Sequence, residues 1–193
     1  RSMGQVGPVR NQGACGCCWA FGSAAAIETV MSVKTGKAPE QISVQSIIDC
    51  APFQPIPKNA THPTKTNWGC EGGTAIGAFA NAVNGTMVSS EADYPFRGVE
   101  GSCQHGTAGF KKTITGFRVI ETGDEDGIIA AVATHGAVAV SIAASWATFW
   151  LDSRRVYDDP ACPQDSPEHV VTVVGYDEES YYVKNRWARS QLH

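Results

Sequence analysis

Cysteine usage is the feature that most constrains the fold of this chain. Seven cysteines are spread over 193 residues, and three of them, Cys15, Cys17 and Cys18, fall within four positions directly before a tryptophan. Cysteines in such a pattern serve as metal ligands, as disulfide halves or as a reactive thiol. Because seven is an odd number, disulfides within one chain leave at least one cysteine for another role.

The composition excludes several classes of protein. A hydrophobic content of 42% and a charged content of 18% are typical of a globular chain with a packed core. A net charge of −4 lacks the basic footprint that nucleic acid selects, so no nucleic-acid partner is expected. The chain contains no run of 18 apolar residues, so no membrane-spanning helix is predicted.

The cysteines also indicate an oxidising compartment. Together with two N-x-[ST] sequons, at Asn59 and Asn84, they predict a glycosylated protein that is secreted or located in a lysosome or vacuole. No basic-then-apolar leader follows Arg1, so we expect a signal or pro-segment to have been removed or to lie outside this sequence.

The first part of the chain predicts helices. Residues Trp19–Lys34 are rich in Ala, Met, Ile and Glu, and a helix beginning near Cys18 should stop at Gly36. Ser43–Asp49 predicts a short helix capped by its first serine. The proline-rich stretch that follows Cys50 predicts a long surface loop.

The second part predicts short strands. Four runs are rich in β-branched or aromatic residues, and one short helix, capped by Asp124, separates the first run from the others: "KTITGFRVI", "AVAVSIA", "HVVTVVGY" and "YYVKNRW". A mainly helical lobe over about residues 1–110, followed by an antiparallel β lobe over about 111–193, is an α+β architecture.

A metal centre does not fit the cysteine spacing. Structural zinc sites use two pairs of closely spaced ligands, and no second pair accompanies Cys15 and Cys18. A reactive thiol fits better, because a thiolate is favoured at the N-terminus of a helix, where Cys18 is expected. Without further motifs, Cys18 could also be a disulfide half, and His169 could be a core histidine whose hydrogen bonds are satisfied.

Those motifs resemble the papain family of cysteine peptidases, of the cathepsin L and B type. "QGACGCCWAF" is similar to the family's nucleophile segment, and "HVVTVVGY" with "YYVKNRW" to its histidine and asparagine segments. His169 lies 151 residues and Asn185 lies 167 residues after Cys18. "SVQSIIDC", "GCEGG", "DYPF" and "HGAVAVSI" follow the family's order, so the resemblance covers nearly the whole chain as one papain-like domain.

The resemblance implies a catalytic role for several residues. Cys18 would be the nucleophile, His169 its base, and Asn185 the partner that orients the imidazole. Trp187 would shield that hydrogen bond from water, and the Gln12 side chain with the Cys18 backbone N–H would form the oxyanion hole. No cofactor and no metal are implied.

The resemblance also implies where a substrate binds. Gly72 and Gly73 would pair with the extended backbone of a peptide, although two glycines could also form only a turn. An apolar P2 side chain is expected, because the positions that match the family's P2 pocket are small or apolar: Thr74, Ala75, Ser141, Pro167 and Val170.

Disulfides account for four of the seven cysteines under this resemblance, paired as Cys15–Cys70 and Cys50–Cys103. Cys162 is similar to one half of a bridge whose other half is not in this sequence. Cys17 stands where the family has Ser or Ala, and we expect it to pack as a small apolar side chain without a bridge.

The last residues depart from the family pattern. "KNRWARSQLH" has Arg186 in place of the usual Ser and Ala188 in place of the usual Gly, and a final β-strand is expected to be missing. Two alternatives to a peptidase therefore stay open: a catalytically weakened papain-like protein that binds peptides or a protein partner, and a disulfide-stapled recognition module. For a peptidase, the implied partners are peptide or protein substrates, a propeptide and cystatin-like inhibitors. The peptidase itself is expected to be a monomer.

Overall fold

The computed structural model describes most of the chain. It covers residues 4–51, 69–83, 88–104, 114–144, 149, 156–163 and 165–186. The predicted glycosylation sites Asn59 and Asn84, the predicted shielding residue Trp187 and nearly all of the proline-rich loop lie outside these residues.

The central helix α1 spans Cys18–Thr35. It has no proline and contains strong helix formers, and Gly36 ends it in the left-handed region at φ 67°, donating its backbone N–H to the Ser32 carbonyl at 2.9 Å. Nearly all of its first twelve residues are buried, which alanine and glycine side chains allow. The predicted start and stop of this helix are confirmed by the structure.

Three further helices surround α1. Helix α2 spans Val44–Cys50, and the Ser43 hydroxyl caps it by accepting from the Ser46 N–H at 2.9 Å. After a short 3₁₀ turn at Gly69–Glu71, helix α3 spans Ala75–Val83. Helix α4 spans Glu125–His135, and Asp124 caps it through the Gly127 N–H at 2.9 Å, as predicted.

The sheet has three antiparallel strands in the described residues. Strand β1 spans Val138–Ile142, β2 spans His169–Tyr176 and β3 spans Tyr181–Lys184, in the order β1-β2-β3. The central strand β2 is buried over its first five residues because it has a neighbour on each edge and a helix on one face. Helices and an antiparallel sheet together confirm the α+β fold class.

Two predictions of local structure were incomplete or wrong. The run "KTITGFRVI" predicts a strand, yet the described part of it, residues 114–120, forms none, and Phe117 and Val119 are exposed. High β-propensity stabilises a strand only where a neighbour supplies cross-strand pairs, and no ladder reaches this segment within the described residues. Helix α3 was not predicted, although Thr74 caps it by accepting from the Gly77 N–H at 3.1 Å.

The core lies where α1 packs against α2, α3 and β2. Trp19 is fully buried and donates its indole N–H to the Gly69 carbonyl at 3.1 Å. One turn later, the Thr172 hydroxyl of β2 donates to the Gly22 carbonyl at 3.0 Å. The first turns of α1 are thereby fixed to β2 and to the segment before α3. No described helix is long and apolar enough to cross a membrane.

Candidate active site

Cys18 is the first residue of α1, and its neighbour Cys17 holds the N-cap position. Cys17 makes no side-chain hydrogen bond to the first turn, so the leading backbone N–H groups of the helix have no side-chain cap. The Cys18 side chain is partly buried against the core, whereas Cys17 is fully buried. A thiol at this point lies at the positive end of the helix dipole, which favours a thiolate.

Two disulfides fix the segment that leads to Cys18. The structure pairs Cys15 with Cys70 and Cys50 with Cys103, so Cys17, Cys18 and Cys162 take part in neither bridge. Beside the first bridge, the Gly16 N–H donates to the Cys70 carbonyl at 2.8 Å. A Cβ on Gly16 would stand 2.5 Å from that same oxygen, so this close approach requires glycine.

His169 begins strand β2 and is held by Asn185. The two side chains are 3.0 Å apart, from the His169 Nε2 atom to the Asn185 Oδ1 atom. The Arg186 backbone N–H also donates to this oxygen, at 2.9 Å. Because an amide oxygen only accepts hydrogen bonds, His169 carries a proton on Nε2, and Nδ1 becomes the atom that exchanges a proton with a reacting group.

Burial lowers the pKa of His169. The hydrogen bond to Asn185 and the charge of Glu168 raise this pKa, whereas the positive charge of Arg186 lowers it further. His169 is 8% exposed, so its ring lies in surroundings with little water to stabilise an imidazolium. An anion beside the ring would therefore contribute strongly to keeping His169 protonated.

Helix α1 packs on strand β2, and Cys18 and His169 are the first residues of these two elements. Gly22, one turn after Cys18, faces Val170, the residue after His169. A Cβ on Gly22 would lie 2.8 Å from the Val170 Cγ1 atom, which shows how closely helix and strand approach. Gly22 and Val170, which are 148 positions apart in sequence, thus pack together, and Cys18 and His169 lie at the adjoining starts of the helix and the strand.

Gln12 lies on the segment beside both elements. Its backbone N–H donates to the Arg186 carbonyl at 3.2 Å, and its side-chain Nε2 donates to the Cys15 carbonyl at 3.0 Å. An amide nitrogen has two hydrogens, so the second remains to be directed to another acceptor. Gln12 is therefore anchored to the segment after β3 that carries Asn185 and to the segment that leads to Cys18.

The predicted substrate glycines lie between the Cys15–Cys70 bridge and α3. Gly72 has φ 126°, a conformation that side chains disfavour, and open space surrounds the place where a Cβ would be. Gly73, Thr74 and Ala75 are half-buried. Thr74 caps α3, and Ala75 is the first residue of that helix. A backbone edge next to open space is suited to pairing with an extended peptide.

The remaining candidates lie beside His169 in the sheet. Ser141 of β1 is opposite Val170 of β2, and Ile142 is opposite His169. Ser141 and Pro167 are exposed, whereas Val170 is buried at 5% exposure and packs towards α1. Within the described ranges, no group of three or more His, Cys, Asp or Glu side chains is placed to hold a metal ion.

Comparison with known proteins identifies the family. The sequence model of the family described as "Papain family cysteine protease" matches residues 1–191. This chain belongs to the papain family of cysteine proteases. It is 38% identical to cathepsin K of Mus musculus over 98% of its own length, and 38% identical to cathepsin L of Sarcophaga peregrina over 97%.

Solved structures of papain-family proteases share the fold. A digestive procathepsin L2 from the larval midgut of Tenebrio molitor matches with a TM-score of 0.79 and 34% identity over 97% of this chain and 56% of its own. A cysteine protease of Carica candamarcensis in complex with E-64 matches with a TM-score of 0.83 and 29% identity over 97% of this chain and 80% of its own. The chain spans 55% of the length of the cathepsin K and 53% of that of the cathepsin L.

Sequence reasoning missed a set of buried charges behind this papain-family site. Glu28 of α1 is 2% exposed and accepts from Arg10 at 2.8 Å, and Lys184 lies 3.5 Å from its other oxygen. Arg186, next to Asn185, is 3% exposed and donates to the Cys18 carbonyl. A glutamate within the apolar stretch "AAAIETVMSV" was the available signal, because a charge on a buried helix face needs a partner.

Proposed function

We propose that this chain is the peptidase portion of a cysteine endopeptidase that hydrolyses peptide bonds through Cys18 and His169. The observation that carries the proposal is the arrangement around one helix start: Cys18 begins α1, and His169, oriented by Asn185, begins the strand on which α1 packs. The proposed domain has a helical lobe, about residues 1–110, and a β lobe, about 111–193, with the cleft between them.

The proposed reaction has two stages. The Cys18 thiolate attacks the carbonyl carbon of the substrate, and the resulting tetrahedral intermediate expels the amine, which takes the proton from His169 Nδ1. The thioester that remains on Cys18 is then attacked by water, whose proton passes to His169, and the acid product leaves with the thiolate restored. Asn185 supports both stages, because it holds the Nε2 proton in place while Nδ1 gives and takes protons.

The oxyanion of each intermediate would be stabilised by two N–H donors. One is the backbone N–H of Cys18 at the uncapped start of α1, and the other is the second amide hydrogen of Gln12. A peptide would extend along Gly72 and Gly73. We propose an apolar P2 residue, supported by the small or apolar candidates Thr74, Ala75, Ser141 and Val170.

The relatives suggest how such a protein is made and controlled. Two solved relatives are procathepsins, and two plant relatives carry the inhibitor E-64. We propose that this chain acts as a monomer, is released from a precursor, binds a propeptide and E-64-like or cystatin-like inhibitors, and works in a secreted or lysosomal compartment. Two disulfides are compatible with that location.

The proposal is tested by trapping the nucleophile. E-64 should label Cys18 and abolish hydrolysis of an unblocked protein substrate and of a peptide with Leu at P2. Cys18→Ala should remove labelling and activity, and His169→Ala should slow both by at least about 100-fold. Arg118→Gln, on an exposed segment, is the control and should change neither.

Other results would point to a different function. Peptide binding without cleavage or labelling would indicate a weakened papain-like protein. Labelling that persists unchanged in His169→Ala would contradict the Cys18–His169 pair. Activity against a P2 glutamate that equals activity against P2 leucine would overturn the apolar P2 preference.

A further inference from the structure

Arg186 places a buried positive charge beside the proposed nucleophile. Its guanidinium donates through Nη1 to the carbonyl oxygen of Cys18, and the same nitrogen would lie 3.4 Å from a Cβ on Gly22. The residue is 3% exposed, and its Nη2 atom is buried without a hydrogen-bond partner among the described residues. A buried cation is costly unless an opposite charge accompanies it.

The carboxylates behind the site are already engaged by other cations. Glu28 pairs with Arg10 and with Lys184, and Glu91 pairs with Arg10 at 3.1 Å. No described carboxylate forms an ion pair with Arg186. The charge of Arg186 also disfavours the ammonium of Lys184, whose pKa is lowered mainly by burial.

The ionisable groups with which Arg186 interacts favourably are the two adjacent thiols. Burial lowers the pKa of Arg186 to about 10, and the charges of Cys18 and then Cys17 act in the opposite direction. Burial raises the pKa of the Cys17 thiol to about 12, so Cys17 is uncharged at and below neutral pH. Cys18 is therefore the group left to balance the charge of Arg186.

We propose that Arg186 is a positioning residue that acts as a permanent counter-charge to the Cys18 thiolate and moves the working pH range of the Cys18–His169 pair towards acid. The proposal rests on the proposed function in assigning Cys18 as the nucleophile. The guanidinium stabilises the thiolate whether or not His169 is protonated, and it repels a proton on His169. Both effects shift ionisation of the pair to lower pH.

The other charged groups around the pair do not produce the same effect. Glu168 lies directly before strand β2 and favours the imidazolium, which opposes Arg186. At the N-cap of α1, Cys17 stays neutral. Asn185, after β3, contributes a hydrogen bond without charge. Lys184 and Arg10 belong to the cluster around Glu28, so their charges are largely balanced there.

The test measures the pH dependence of Cys18 alkylation rather than peptide hydrolysis. Iodoacetamide would be added to the full chain between pH 3 and pH 9, and modification of the Cys18 peptide would be followed by mass spectrometry, since alkylation follows the thiolate. Arg186→Gln should move the midpoint up by about one pH unit, which lowers the rate about tenfold at pH values well below both midpoints. Arg186→Lys should stay close to the original, and Arg118→Gln is the surface control.

The activity profile gives a second readout. With Arg186→Gln, both limbs of the pH profile of kcat/KM should move to higher pH, because the thiolate forms later and the imidazolium persists longer. If both limbs stay at the same pH and kcat/KM falls by the same factor at every pH, Arg186 has a purely structural role, and the proposal is overturned. An equal shift in Arg186→Lys and Arg186→Gln would also overturn it, since charge would then not be the cause.

A third measurement uses no Arg186 variant, so it tests the proposal even if the Arg186 variants do not fold. The free energy of unfolding of the unmodified chain should exceed that of Cys18→Ala by a margin that widens from pH 4 to pH 7, as the thiolate forms beside Arg186. A margin that does not change with pH would overturn the counter-charge. Alkylation and unfolding need no substrate, so a failure of the peptidase assignment is distinguishable from a failure of this proposal.

Discussion

Cys17 and Cys18 are adjacent in the chain, yet the structure gives their side chains different surroundings. Cys18 is partly buried at the start of α1, whereas Cys17 is fully buried, and its Sγ lies 3.5 Å from the Cys15 carbonyl. Burial raises the pKa of Cys17 to about 12, which makes it a poor nucleophile. One residue step along the chain thus separates a buried thiol of raised pKa from the proposed nucleophile.

This difference predicts the outcome of selective labelling. In the native chain, iodoacetamide at pH 6 should modify Cys18 at least about 100-fold faster than Cys17, because reactivity follows thiolate and exposure. Cys17→Ala should leave kcat/KM within about twofold and lower the free energy of unfolding by about 1 kcal/mol. Mass mapping of the two cysteines, with denatured protein as the control, checks this, and rapid native labelling of Cys17 would contradict it.

Single residues were predictable where a motif fixed their chemistry. Cys18, His169 and Asn185 could be proposed as site residues because their spacing and neighbours resemble a known pattern. The environment of Arg186 could not be found in this way, because its contact with Cys18 bridges 168 positions and depends on how the segment after β3 lies against the start of α1. The sequence shows that Arg186 departs from the family's usual Ser, but only the packed structure shows which groups its side chain contacts.

At the scale of elements, local signals predicted helix ends better than strands. Ser43, Asp124 and Gly36 each act within a few residues, so their capping roles could be predicted without the tertiary structure. The run "KTITGFRVI" has strand propensity, but the described part of it forms no strand, because pairing depends on distant neighbours. Helix α3 was missed because the two glycines before it were interpreted only as a substrate contact or a turn, and the apolar residues after them were not examined for a helix.

The contact between α1 and β2 predicts a cost for the smallest change at Gly22. A methyl group there would lie 2.8 Å from the Val170 Cγ1 atom, inside a buried interface. Gly22→Ala should lower the free energy of unfolding by about 1–3 kcal/mol despite the better helix propensity of alanine. Urea unfolding checks this, and the loss should shrink in a Val170→Ala background, where the clashing methyl is absent; equal losses in both backgrounds would contradict it.

The turn between β2 and β3 predicts a pH dependence of stability. The Asp177 carboxylate accepts from the Tyr182 hydroxyl at 2.6 Å and from the Ser180 N–H at 2.8 Å, and chiefly the first bond lowers the pKa of Asp177 to about 2. A lowered folded-state pKa stabilises the fold above the unfolded value of about 4, and this contribution is lost as the pH falls towards 2.

Asp177→Asn should therefore be less stable than the original chain at pH 5, and the difference should close by about pH 2. Denaturant unfolding at several pH values measures the difference. Glu178→Gln, in the same exposed turn, is the matched control and should show no such convergence. A difference that stays constant down to pH 2 would contradict a role for the Asp177 charge.

For the whole molecule, one buried carboxylate joins four separate parts of the chain. Glu28 of α1 accepts from the Ile42 N–H at 2.9 Å and from Arg10 at 2.8 Å, and Lys184 of β3 lies 3.5 Å from its second oxygen. Its side chain is 1% exposed. Removing its charge leaves the buried Lys184 ammonium without its counter-charge and Arg10 with Glu91 alone, a situation that costs more than a surface ion pair contributes.

Glu28→Gln should accordingly lower the free energy of unfolding by about 3–5 kcal/mol, even though glutamine can still accept from the Ile42 N–H. Glu121→Gln, an exposed change of the same chemistry, should alter it by no more than about 0.5 kcal/mol. Thermal and urea unfolding measure both. Replacing Lys184 by Met in the Glu28→Gln chain should recover part of the loss, because one unpaired cation is gone. A double variant as unstable as the sum of the two single changes would show instead that Glu28 stabilises the fold without pairing to Lys184.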